Sequence, residues 1–122
     1  MIIFEELEPF KKDFKHLKKY RSLDDDFLKF KKVLETDGEN LTGLVRLSMG
    51  ANLQDIPFYK AKKFRCKSLG GGAMSGIRVI FCWQQKDNDA LVSFIEIYYK
   101  GQQTNHNPER IINFCKERKL LK

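Results

Sequence analysis

Three strand-like runs, at residues 58–67, 77–83 and 91–100, constrain the fold of this chain more than any other feature. They are joined by SLGGGAMSG (68–76) and QQKDNDA (84–90), both rich in the residues that turns require. Strands that follow one another through short turn-forming connectors pair most economically as antiparallel neighbours, so a meander is expected. Upstream the apolar spacing becomes helical. Pro9 suits a first helical turn, where its missing N–H costs nothing. Phe10, Phe14 and Leu17 then recur on one side, with Lys11, Lys12, Lys15, Lys18 and Lys19 mostly on the other. Ser22 stands as an N-cap, with Asp24, Asp25 and Asp26 near the positive end of a helix dipole. Leu23, Phe27, Phe30 and Leu34 follow as one apolar stripe, so the two helices form a hairpin with a shared buried face.

Residues 2–4 read as a short first strand, and Asn107 with Pro108 opens a last helix carrying Ile111, Ile112, Phe114 and Cys115. Residues 36–57 are punctuated by Gly38, Gly43, Gly50 and Pro57, while Leu41, Leu44, Val45 and Leu47 suggest a short packed element whose type the sequence leaves open. The expected fold is therefore α+β: an N-terminal helical hairpin packed on a small antiparallel β-sheet, with a C-terminal helix. Residues 1–122 are expected to form a single domain, long enough to bury a hydrophobic core.

Charge is distributed unevenly. Residues 1–57 hold 10 Lys+Arg against 11 Asp+Glu, net −1, whereas residues 58–122 hold 13 against 5, net +8, so the basic character of the chain belongs to its second half. A one-sided basic surface fits a nucleic acid or an acidic protein partner. Its densest part is FYKAKKFRCK (58–67), where Lys60, Lys62, Lys63, Arg65 and Lys67 alternate with aromatic and small apolar residues. On a strand, Lys63, Arg65 and Lys67 share one face while Phe64 and Cys66 enter the core. Arg78 stands alone in an apolar run, where it serves a site, snorkels at a strand end or pairs with Glu96. Alternation also puts Glu96, Tyr98 and Lys100 on one face of the third run.

Some chemistries are disfavoured. The glycine run lacks GxxxxGK[ST] and precedes a strand, so it reads as a hairpin connector and not as a phosphate loop. Cys66, Cys82 and Cys115, with His16 and His106, make no zinc spacing; the cysteines read as reduced core residues, and His106, near the start of the last helix, reads as an ordinary surface residue, with an approach to the sheet as the alternative. Glu5 and Glu6 directly after the first apolar residues do not fit a signal peptide, and no apolar run reaches membrane-spanning length. A cytoplasmic protein without membrane contact is expected.

Lys63-Phe64-Arg65 before a glycine-rich turn, then Ser75-Gly76-Ile77-Arg78-Val79-Ile80, then Ile97-Tyr98-Tyr99-Lys100, resembles the RelE/ParE superfamily of bacterial toxins, with the RelE- and HigB-type branch the nearest echo. The leading helical hairpin and the closing NPERIINF helix are similar to that family, and only residues 36–57 are unmatched. The resemblance implies the toxin of a type II toxin–antitoxin pair, held by a cognate antitoxin protein and cleaving mRNA on the ribosome. It implies RNA transesterification with no metal or small-molecule cofactor. In that scheme Arg78 clamps the phosphate, Lys63 and Arg65 help activate the 2′-OH, and Tyr98 and Lys100 position the substrate or donate a proton. Lys60, Lys62 and Lys67 hold the RNA backbone. The alternatives are DNA gyrase inhibition, as in ParE-type members, and a non-catalytic RNA-binding domain.

Overall fold

A computed structural model describes residues 1–50, 53 and 55–120, so part of the unread stretch 36–57 lies outside the described residues. The chain runs β1 (Ile2–Glu6), α1 (Glu8–His16), α2 (Leu23–Asp37), β2 (Leu44–Arg46), β3 (Phe58–Ala61), β4 (Ile77–Lys86), β5 (Asp89–Tyr99) and α3 (Pro108–Glu117). The class is α+β, with three corrections to the expected arrangement. The helical hairpin is not N-terminal, because the first strand expected at residues 2–4 is present, extends to Glu6 and precedes it. The five-stranded sheet, ordered β1-β5-β4-β3-β2, is mixed, because β1 pairs parallel with β5 while the other pairings are antiparallel. Turn chemistry dictates direction only between strands joined by tight turns, and most of the chain lies between β1 and β5. The third correction concerns the basic run, in which only Phe58–Ala61 is strand and residues 62–67 leave the ladder.

The β4–β5 hairpin is tighter than the sequence suggested. Only Asp87 and Asn88 separate the strands, and Asp87 takes the left-handed φ of 55° that two-residue hairpin turns favour.

Both sheet faces are covered. Phe10, Phe27, Phe30 and Leu34 of the hairpin pack with Tyr59, Val79, Phe81, Val92, Phe94 and Ile97. Phe94 is the hub of this side, its ring centroid 5.4 Å from that of Phe10 and 5.0 Å from that of Phe27. On the other side Ile111, Phe114 and Cys115 of α3 pack with Phe58, Ile80, Cys82, Ile95 and Tyr98. All three cysteines are buried free thiols. Burial pushes the Cys82 thiol up to about 12, with Cys115 close enough to add to the shift, and raises Cys115 as well. Among the described residues no helix is long and apolar enough to cross a membrane.

Two ion pairs fasten α3. Arg110 grips the Asp13 carboxylate through both guanidinium nitrogens, with Nη2 2.8 Å from Oδ1, and Asp13 also accepts the Ile97 amide at 3.3 Å. Arg118 pairs with Glu5 of β1. Asp13 thus joins α1, β5 and α3 at one point, and its pair with Arg110 is only 27% and 16% exposed. Hydrogen bonds to charged groups contribute about 1.5–3 kcal/mol each, so Asp13→Ala should destabilise the fold by about 2–3 kcal/mol in urea unfolding. A loss under about 0.5 kcal/mol would place the pair with ordinary exposed salt bridges.

Candidate functional site

The cations singled out in the sequence fall in two places. Lys60, Lys62 and Arg78 gather, beside the phenol of Tyr98, on the side of the sheet that carries α3. Lys63, Arg65 and Lys67 open toward α2 on the other side.

The first cluster forms where the β3–β4 ladder runs out. Its last register pair is Ala61↔Val79, whereas β4 continues back through Arg78 to Ile77. Arg78 fills the gap with its side chain, donating from Nη1 to the Lys62 carbonyl at 3.1 Å and to the Ile77 carbonyl at 3.4 Å. Across the other ladder its partner is Tyr98, which is 5% exposed. Glycine is required at Gly76, just before this strand. Its φ is +91°, and a Cβ there would sit 3.0 Å from the Tyr99 ring.

A loop from the far side completes the cluster. Lys60 Nζ donates to Asn105 Oδ1 at 2.6 Å, and the same oxygen accepts the His106 amide at 2.9 Å. His106 Nδ1 lies 3.1 Å from that oxygen. An amide oxygen only accepts, so the neutral imidazole carries its proton on Nδ1 and presents Nε2 as the free base. Glu96, 2% exposed, accepts the Asn107 amide at 2.8 Å and Gln103 Nε2 at 2.7 Å, so it is not the ion-pair partner of Arg78. Asn107 in turn caps α3 by accepting the Glu109 amide at 3.0 Å.

The environment divides the titrating groups by role. Burial, followed by the Lys60 charge, lowers His106 below its ordinary 6.5, which favours the neutral imidazole near pH 7. Burial and then the Glu96 carboxylate raise Tyr98, keeping the phenol protonated, although Arg78 and the His106 backbone oppose the shift. Lys60 is lowered by burial and by Lys62 and Arg78, with Glu96 pulling the other way. One end of the sheet therefore brings together a neutral base, a protonated phenol and three cations. Lys100 stands exposed just past the end of β5.

Lys63, Arg65 and Lys67 belong to a groove of 690 Å³ between α2 and residues 61–72. Its floor includes Phe30, Val33, Leu41 and Ala61, and Lys29 adds a further cation from α2. The exposure of 63–67 alternates as on a strand, with Phe64 and Cys66 buried, but side-chain ties replace the ladder. Ser75 Oγ donates to the Phe64 carbonyl at 2.5 Å, and the buried Asp26 accepts the Lys67 amide at 3.0 Å. Ser22, at the N-cap position, donates to Asp26 at 2.6 Å and accepts the Ser68 amide at 2.8 Å instead of capping α2. Lys67, through a hydrogen bond and its charge, lowers the pKa of Lys29, so two like charges are held against each other at the groove rim.

For His106 the sequence favoured an ordinary surface position over an approach to the sheet. The residue sits in a polar loop with no periodicity, and its place depends on Glu96 and Asn105, whose contacts no spacing rule reveals. Among the described residues no three His, Cys, Asp or Glu side chains cluster as metal ligands would. Compared with known proteins, the chain matches no family model, no curated protein and no solved structure.

The lowered His106 pKa has a definite sign in stability. The unfolded chain takes up the proton first, near 6.5, so this contribution is intact above that pH and is lost as pH falls through the folded value. His106→Gln should remove this component, and its urea midpoint should fall less than that of the parent between pH 7 and pH 5. Equal slopes in the two proteins would mean that His106 titrates as an exposed histidine.

Proposed function

We propose that the protein is a metal-independent endoribonuclease toxin of the RelE/HigB type, cleaving mRNA on the ribosome and held in check by a protein antitoxin. The observation that carries the reading is the convergence of Arg78, Lys60, Lys62, Tyr98 and His106 at one end of the sheet. Transesterification needs a base for the 2′-OH, an acid for the departing 5′-oxygen, and cations for the charge that builds on the phosphorane. His106 Nε2 supplies the base. The phenol of Tyr98, which burial keeps protonated, supplies the proton. Arg78 binds the phosphate oxygens, with Lys60 and Lys62 on the flanking backbone. Lys100, two residues past Tyr98, extends the cationic path.

The groove cations take a different role. Lys29, Lys63, Arg65 and Lys67 around an apolar floor suit an acidic segment of the antitoxin carrying aliphatic side chains. Such a segment lies across the sheet from Arg78, so RNA and antitoxin need not compete for one row of lysines. Neutralisation then works by keeping the complex off the ribosome, with the site itself left uncovered.

Induced expression should arrest bacterial growth, with mRNA cut inside translated frames. Intact mRNA with double-strand DNA breaks would instead favour gyrase as the target. Arg78→Ala should slow cleavage roughly 10²- to 10³-fold, the cost of losing one charge-assisted contact to the transition state. Arg78→Lys should restore little, because an ammonium cannot reproduce the guanidinium fork. Full toxicity of soluble, folded Arg78→Ala would remove Arg78 from the site. Lys63→Glu with Lys67→Glu should leave cleavage within about threefold while weakening antitoxin association in a salt-dependent way. Equal loss of both activities would return these lysines to the RNA path.

A further inference from the structure

β5 contains one irregularity, and it lies beside the candidate site. Ile80 pairs with Glu96 but the next residue, Phe81, pairs with Phe94, so Ile95 is an extra residue in the ladder. In a regular strand Phe94 and Glu96 would face the same way, toward the α1–α2 hairpin. The bulge breaks that alternation. Phe94 remains in the hairpin core, Ile95 packs under α3, and Glu96 reaches the α3 side as well. Bulges re-aim side chains in this way and occur often beside active sites.

The re-aimed carboxylate meets two donors from one loop. Glu96 Oε1 accepts the Asn107 amide and Oε2 accepts Gln103 Nε2, and Gln103 also donates to the Asn105 carbonyl at 2.8 Å. Residues 103, 105 and 107 are thereby fixed around His106, and Asn105 holds the imidazole by its amide and by Nδ1. A carboxylate buried to this degree is costly unless its lone pairs are filled, so the loop and Glu96 order each other. Lys60 approaches the loop directly, through Asn105.

We propose that Glu96 is the positioning residue of this site, the buried carboxylate that clamps the 103–107 loop so that His106 faces Arg78 and Tyr98. The clamp rests on the ribonuclease reading for its purpose, but not for its existence. The charge of Lys60 from β3 acts on His106, the His106 backbone reaches Tyr98 of β5, and Lys60 and Tyr98 in turn feel Arg78 of β4 and Glu96 of β5, with Lys62 acting on Lys60. Loss of the clamp should swing the imidazole away from Lys60 and into water.

Glu96→Gln is the direct test, because it keeps the shape while placing an NH2 against one of the two donors. His106 should be titrated by NMR in parent and variant. A freed loop predicts that the His106 midpoint rises toward 6.5. Removal of a nearby negative charge alone would move it down, so the direction of the shift separates displacement from simple electrostatics. The Asn107 amide should also lose protection from hydrogen exchange. On RNA cleavage, a misplaced base predicts a fall in kcat of roughly 10- to 100-fold with KM little changed. An unchanged or lowered His106 midpoint with a protected Asn107 amide overturns the proposal, as does an equal fall in kcat and stability with His106 undisturbed. If Glu96→Gln does not fold, Gln103→Ala removes one arm of the clamp at a half-exposed position and should shift His106 in the same direction by less. Its failure to do so is equally decisive. If the parent protein does not cleave RNA, the ribonuclease reading fails; if it does and His106→Ala cleaves equally well, His106 is not the base; in both cases the NMR result still decides the clamp.

Discussion

β5 lies between β1 and β4, hydrogen-bonded on both sides and buried from Val92 to Tyr98, so each residue along it must serve a packed face. A strand in that position tolerates almost no charge, since an ionised group there has to be hydrogen-bonded or it opposes folding. Glu96 meets the condition only because Ile95 shifts the pleat and delivers it to the loop before α3. The hairpin core around Phe94, the docking of α3 through Ile95 and the placement of His106 all descend from that single extra residue.

Much of this architecture was legible. The apolar stripe Leu23, Phe27, Phe30 and Leu34 is buried as its spacing demanded, and Pro108 opens α3 behind the Asn107 cap. What was not legible depended on partners distant in sequence. Alternation in residues 63–67 gives the exposure pattern of a strand, yet a strand also needs a neighbour, and Arg78 occupies the place where one would pair. Local pattern reports which way a side chain points, not what its backbone binds. The parallel pairing of β1 was hidden for the same reason.

The candidate site shows the same division. Arg78 stood out because it interrupts an apolar run, and Tyr98 because alternation puts it on one face with Glu96 and Lys100, signals contained within each strand. The separation of Lys60 and Lys62 from Lys63, Arg65 and Lys67 was invisible, since one contiguous basic run suggests one surface. The break between them is set by the end of β3 at Ala61 and by Lys62, whose amide turns to the Gly43 carbonyl at 3.0 Å. Gly43, at φ +90°, leaves room that the Lys63 stem fills, for a Cβ there would lie 2.7 Å from Lys63 Cγ.

The buried cysteines give α3 an intrinsic reporter. Thiolate is the reactive form of cysteine, and burial holds Cys82 and Cys115 overwhelmingly as thiols while α3 stays docked. Lifting that helix would return two sulfurs to water together, one on the sheet and one on the helix. The alkylation rate of this pair would then follow the opening equilibrium of a single element without any introduced label.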